Sequence, residues 1–148
     1  MNTNDTLNQA QALVRAWASD CMTPELNRVD VRIAATDLLA AVHALTDAHW
    51  GYLAGITGLD LGADAGQIEV LYHFCAGAAV LTLRVLIDRT HPVIPSLCGL
   101  LPPATFYERE LREMLGVEIT GLTNTDRLFL PDNWRDGVYP LRKDAVLD

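Results

Sequence analysis

Residues 91–144 read HPVIPSLCGLLPPATFYERELREMLGVEITGLTNTDRLFLPDNWRDGVYPLRKD, a stretch that joins an apolar, proline-rich entry to a charged helix and then to a long tail with no regular period. Pro92, Pro95, Pro102 and Pro103 hold the entry in a non-helical path, because proline fixes φ and lacks the amide hydrogen a helix needs. The spacing then predicts a helix over 104–115, with Tyr107, Leu111, Met114 and Leu115 as its buried stripe and Gly116 as its stop. Glu108 with Arg112, and Arg109 with Glu113, stand four residues apart and are expected to pair along its exposed side, each pair contributing about 0.3–0.5 kcal/mol. A short strand, 117–120, precedes the tail.

More than about twenty residues without secondary structure are unusual in a compact domain, and such a run is either disordered or a contact arm. Leu128, Phe129, Leu130, Trp134, Val138, Tyr139 and Leu141 give this tail more apolar surface than a solvated linker needs, so burial against something is expected. Arg127, Arg135, Arg142 and Lys143, the only lysine of the chain, stand against only Asp132, Asp136 and Asp144 between Arg127 and Asp144. The plain reading of those charges is a solubilised tail; the sharper one is a basic contact arm.

Working outward, Thr3 or Asn4 is placed to cap a first helix with Leu7, Ala10, Leu13, Val14 and Trp17 at helical spacing, and Thr23-Pro24 interrupts it. Val29, Val31 and Ile33 alternate with Asp30 and Arg32 as a half-buried strand does. A second helix starts at Thr36, carries Leu38, Leu39, Val42 and Leu45 with His49 as a further candidate for the stripe, and is expected to end at Gly51. Residues 52–57 predict a weaker strand, and 68–74 with 80–87 predict a hairpin turning at Cys75-Ala76-Gly77-Ala78. In its second run Leu81, Leu83, Val85 and Ile87 alternate with Thr82, Arg84 and Asp88, which leaves one polar face. This order implies an α+β fold: a mostly antiparallel sheet with helices packed on one side, mixed pairing near the first strand, and an extended C-terminal arm.

The chain has 148 residues, enough for one continuous core without staples, and a net charge of −8 from 19 acidic and 11 basic residues. That field repels phosphate backbones, so nucleic acid is not an expected partner. No segment approaches the ~20 apolar residues needed to span a bilayer, and MNTNDTLNQAQ lacks the order of a secretory signal, so direct membrane insertion is not expected and the reading is a soluble intracellular chain. Cys21, Cys75 and Cys98 cannot all pair with one another and show no C-x-x-C spacing, which fits a reducing compartment and supports neither zinc nor an iron–sulfur cluster.

Catalytic chemistry finds little support. Glu108 and Glu110 lie two apart on a helix, about 200° around its axis, and do not converge on one substrate atom. His73, Cys75, His91 and Cys98 have no diagnostic ligand spacing and read as core residues. No phosphate-cradling glycine loop is present, and Trp134 beside Pro131 reads as a packing anchor rather than a flavin platform.

Four blocks carry a resemblance: Glu108-Arg109-Glu110, Met114-Leu115-Gly116, Leu130-Pro131-Asp132-Asn133-Trp134 and Pro140-Leu141-Arg142-Lys143-Asp144. Together they resemble the 30-kDa subunit of respiratory NADH dehydrogenase (NADH-quinone oxidoreductase, complex I) and the related module of membrane-bound hydrogenases and formate hydrogenlyases. The resemblance implies a core domain over 1–121 and a docking arm over 122–148 that lies extended on the large, 49-kDa-like subunit of a redox assembly. It implies no cofactor, metal or catalytic residue in this subunit, and a cytoplasmic position, peripheral on the inner face of the membrane through its complex. The partner-binding residues it suggests are Glu108, Arg109, Glu110, Arg127, Trp134, Tyr139, Arg142 and Lys143. The alternatives are the same module in a hydrogenase or formate hydrogenlyase type of complex, or a free-standing protein-binding module. Relatives commonly read G-H-P-D and two arginines where this chain has Gly121-Leu122-Thr123-Asn124-Thr125-Asp126-Arg127, and quinone-reducing members carry His where Tyr139 precedes Pro140. These departures are similar to the hydrogenase-related branch.

Overall fold

A computed structural model describes residues 1–147. The elements run α1 (Thr3–Val14), β1 (Asp20–Glu25), β2 (Arg28–Arg32), α2 (Leu38–Asp47), β3 (Tyr52–Asp60), β4 (Gln67–Ala76), β5 (Ala79–Asp88), β6 (Val93–Pro95), α3 (Ala104–Leu115) and β7 (Glu118–Thr120). The fold is α+β, with a mostly antiparallel five-stranded sheet in the order β1-β2-β5-β4-β3 and a second sheet of β6 and β7. The chain forms two compact units, one from residues 1–55 and 71–85, the other from 56–70 and from 86 onward.

In the first unit α1 packs against α2 and β2. Its cap is Asn2, whose Oδ1 accepts the Asp5 N–H at 2.9 Å, rather than the expected Thr3 or Asn4. It buries Leu7, Ala10 and Val14, while Leu13 and Trp17 are only half-buried. β1 corrects the reading of Thr23-Pro24 as a simple break: an exposed edge strand pairs antiparallel with β2, its register shifting between Met22 and Glu25. An edge strand with a bulge tolerates a proline because no ladder bond is asked of its nitrogen. β2 then pairs parallel with β5, Val29 opposite Leu81 and Val31 opposite Leu83, the mixed pairing anticipated near that strand. A parallel pair needs a crossover, and α2, β3 and β4 supply it.

Alternation sorts this sheet region into two faces. Val29, Val31, Leu81 and Leu83 are fully buried, whereas Asp30 on the other face accepts from Arg28 Nε at 2.7 Å and Arg84 Nη1 at 3.3 Å. His73 lies within 3.0 Å of the Thr82 hydroxyl, and burial, with the neighbouring Arg28 charge, pushes its pKa below the ordinary imidazole value. α2 stops at Asp47, before the expected Gly51, because His49 already turns the chain at φ +53. Leu39, expected in its buried stripe, is exposed, while Ala41 is buried instead.

In the second unit α3 occupies the expected 104–115 and ends at Gly116 in the left-handed region. β7 pairs parallel with β6, Ile94 opposite Ile119. The prolines at 92 and 95 hid that strand in the sequence, and a three-residue edge tolerates them. Ile94, Leu97, Leu111, Leu115 and Ile119 form the core here. From Leu122 the described residues form no helix or strand.

Candidate docking surface

The helix α3 organises this surface, and its buried stripe differs from the expected one. Ala104, Glu108, Leu111 and Leu115 are buried, whereas Tyr107 and Met114 are half-buried. Glu108, expected on the exposed side beside Arg112, is 1% exposed. Its Oε1 accepts the Leu97 N–H at 2.6 Å, and its Oε2 accepts the Ser96 hydroxyl at 2.6 Å and the Cys98 thiol at 3.3 Å. A buried carboxylate requires such donors, and here it fastens the loop before α3. The same surroundings, burial first, push the Cys98 thiol pKa up, away from nucleophilic behaviour.

The opposite charge of the expected second pair also goes elsewhere. Arg109 donates from Nε and Nη2 to the Asp126 carbonyl at 3.1 and 3.0 Å, and from Nη2 to the Arg127 carbonyl at 3.1 Å. Glu113 accepts the N–H groups of Leu128, Phe129 and Leu130 at 3.2, 2.8 and 3.2 Å. Charge-assisted bonds of this kind are stronger than neutral ones. The arm therefore has polar partners on its own helix, which is how a segment with no ladder satisfies its backbone.

Beyond Gly116 the arm returns to the end of α3. A Cβ built on Gly116 would collide with the Tyr139 ring, so that ring lies directly on a residue that must lack a side chain and that holds φ +71. Leu141 N–H donates to Met114 O at 3.0 Å, and Arg142 Nε donates to Leu115 O at 2.6 Å. Lys143 contributes its backbone, donating to Asp60 Oδ2 at 2.9 Å. Asp60 also takes a two-pronged contact from Arg89 at 2.6 and 2.9 Å, and Arg89 in turn meets Asp144 at 2.9 Å. The Arg89 hydrogen bonds, with the Lys143 and Gly62 N–H groups and against the effect of burial, hold the Asp60 carboxyl far below the usual carboxylate range.

Trp134 donates from its indole to Val138 O at 2.8 Å, and Arg127 Nη2 donates to Trp134 O at 3.1 Å. The result is a cavity of about 450 Å³ whose wall includes Arg109, Arg127, Trp134 and Tyr139, four of the eight residues singled out in the sequence. Glu110, Arg142 and Lys143 lie outside that wall, and Glu108 is buried beneath another face of α3. Arg112, Glu113 and Arg135 also line it, together with Val117, Glu118, Asp126, Leu130, Asp136 and Val138; helical spacing pairs Arg112 with Glu108 and Glu113 with Arg109 and does not show this role, because their partners lie in the arm. Phe106, Phe129, Leu141, Val146 and Leu147 remain exposed in this unit.

Fold and arm together define an α+β module closed by a self-anchored C-terminal segment. The chain belongs to the family of the respiratory-chain NADH dehydrogenase 30-kDa subunit, whose family model matches residues 31–148. It is 36% identical over 118 residues to the C subunit of NADH-quinone oxidoreductase from Moorella thermoacetica, covering 78% of each chain. It is 31% identical to hydrogenase-4 component G of Escherichia coli over 99% of this chain but 28% of that protein. To formate hydrogenlyase subunit 5 of the same bacterium it is 33% identical over 81% of this chain and 22% of that protein. It therefore spans only part of those two relatives. In fold it is similar to a chain of the membrane-bound sulfane sulfur reductase, an archaeal respiratory membrane complex, with a TM-score of 0.81 at 21% identity over 97% of this chain and 85% of that one. A trypsin-resistant fragment of Nqo5 gives a TM-score of 0.68 at 19% identity over 84% of this chain and 99% of the fragment.

Proposed function

We propose that this chain is a cofactor-free peripheral subunit of a complex-I-like redox assembly and that it docks on, and stabilises, the large 49-kDa-like subunit through its arm. The observation that carries this reading is the arm itself, an irregular segment held by Arg109, Glu113 and Arg142 that leaves Phe129, Leu141, Val146 and Leu147 exposed beside an arginine-rich cavity. Apolar side chains fixed on a shaped surface gain burial only against another chain, and aromatic anchors flanked by arginine are the residues that carry binding energy at such contacts. The docking set is Arg109, Glu110, Arg127, Trp134, Tyr139, Arg142 and Lys143; a side chain as deeply buried as Glu108 offers a partner nothing. No helix among the described residues is long and apolar enough to cross a membrane, so attachment to the inner, cytoplasmic face would run through the partner.

A hydrogenase or formate hydrogenlyase type of parent complex is the second reading. It is favoured by one observation, the alignment of hydrogenase-4 component G along 99% of the chain against 78% for the quinone oxidoreductase relative from Moorella thermoacetica. Affinity purification of the tagged chain from its source tests both. Recovery of a 49-kDa-like large subunit, reduced at least tenfold by Trp134→Ala, is the expected result; the accompanying proteins identify the parent complex. Recovery of the chain alone from gently solubilised membranes contradicts the docking role.

A further inference from the structure

We infer that the cavity beside α3 is a carboxylate-accepting anchor site, taking a Glu or Asp side chain presented on a peptide segment of the partner protein. The inference rests on the docking reading above and adds to it the chemistry of the contact. Four guanidinium groups border the cavity, those of Arg109, Arg112, Arg127 and Arg135. Their hydrogen bonds run to backbone carbonyls: Asp126 and Arg127 for Arg109, Thr125 for Arg112, Trp134 for Arg127 and Val146 for Arg135. A carbonyl oxygen satisfies an N–H group but cancels no net charge, and each guanidinium has five donors in a fork that fits a carboxylate.

The carboxylates of the wall do not neutralise that charge well. Glu113 keeps its charge, but both its oxygens are taken up by three consecutive backbone N–H groups of the arm, so it forms no ion pair with these guanidinium groups among the described residues. Asp136 reaches Arg127 only at 3.5 Å and is fully exposed, a contact of the kind that contributes little in water. Glu118 and Asp126 are likewise exposed, whereas Arg109 and Arg127 are half-buried. An incoming carboxylate can displace Asp136 at Arg127 and share the forks of Arg112 or Arg135, each of which makes one long bond, 3.3 and 3.4 Å.

The surroundings favour a peptide over a free small anion. Trp134, Tyr139, Val117 and Val138 supply apolar wall for the methylenes of an acidic side chain, in a volume of about 450 Å³ that exceeds one such side chain. Phe129 is adjacent in sequence to the wall residue Leu130, and Leu141 lies two residues beyond Tyr139; both are exposed and extend the surface past the reach of a lone ion. Charge complementarity of this type selects partner and orientation.

The test is a titration of the full-length 15N-labelled chain with the capped peptide Ac-Leu-Glu-Leu-Glu-NH2, its Gln counterpart, and inorganic phosphate, read at the Trp134 indole and the Gly116 and Gly137 amides. Saturable shifts with the Glu peptide are expected, with affinity at least about tenfold weaker for the Gln peptide and for Arg127→Gln. Arg135→Gln, whose only bond among the described residues is the long one to Val146, serves as the variant that keeps the arm in place and should also weaken binding severalfold. Equal binding of the Gln peptide, no saturable shift, or phosphate binding as tightly as the Glu peptide would overturn the inference. Co-purification of a large subunit by a chain that ignores the peptide removes this site alone and leaves docking intact. Peptide binding by a chain that fails to recover any large subunit instead contradicts docking.

Discussion

Arg142 donates from Nε to the main-chain oxygen of Leu115 at 2.6 Å, so the last turn of α3 is closed by a side chain from 27 positions further along. The final carbonyls of a helix have no partner within it, and a cation there also complements the helix dipole. The same guanidinium donates to Arg89 O at 3.3 Å and lies 5.6 Å from the Tyr139 ring centroid. Arg142→Ala is therefore expected to lower the stability of the isolated chain by about 1–3 kcal/mol. Arg142→Lys should recover little of it, because an ammonium does not reproduce the fork. Urea unfolding midpoints of the three proteins make the comparison.

Asp60 supplies a pH signature. Its folded pKa lies below the unfolded value, first because of Arg89, so the unfolded chain takes up the proton more readily. The stabilisation is present above the unfolded carboxylate pKa of about 4 and is lost progressively as pH falls below it toward the folded value. Asp60→Asn should cost about 1–3 kcal/mol at pH 7, since four N–H donors, two of Arg89 and the amides of Gly62 and Lys143, lose their charged acceptor. The difference from wild type should shrink in urea melts taken from pH 5 down to pH 3. A constant difference over that interval would show that Asp60 is not the group holding Arg89 and the Lys143 backbone.

Two substitutions on one stripe of α3 separate packing from polar satisfaction. Leu111→Ala empties volume under a residue only 3% exposed and should cost about 2–5 kcal/mol. A Cβ on Gly58 would come within 2.6 Å of Leu111 and closer still to Leu115, so the strand approaches the helix too tightly there for the cavity to be filled by a small shift. Glu108→Ala strands the buried Leu97 N–H, at about 1–3 kcal/mol, and leaves the half-buried Ser96 hydroxyl without its acceptor. Thermal melts check both, and a neutral Glu108→Ala would contradict the burial of that carboxylate.

The extent of α3, its glycine stop and the β4–β5 hairpin were legible because helical spacing, a left-handed Gly116 and strict alternation are local signals. β1 and β6 were not, since Pro24, Pro92 and Pro95 read as interruptions until their places on sheet edges are known. Glu108 was misplaced for a related reason: a carboxylate on a helix reads as exposed unless the donors of residues 96–98 are already in view. Of the arm, the sequence showed apolar excess and lack of period. It did not show that Glu113 and Arg109 supply the missing backbone partners, because such pairings cross 15–18 positions. Two letters of the Glu108-Arg109-Glu110 block thus act within the chain, Glu108 on the loop before α3 and Arg109 on the arm.

The claim on which the docking account depends is that the arm is already laid on α3 before any partner arrives, presenting a formed surface at little ordering cost. Amide hydrogen exchange of the isolated chain tests it most directly. The N–H groups of Leu128, Phe129 and Leu130 on Glu113, of Leu141 on Met114 and of Lys143 on Asp60 are expected to exchange at least about tenfold more slowly than an unfolded segment would. Glu113→Ala should release the first three and leave Lys143 protected. Exchange of all five at the rate of an unstructured chain, with protection appearing only in the assembled complex, would contradict the account and make the arm a segment that folds on its partner.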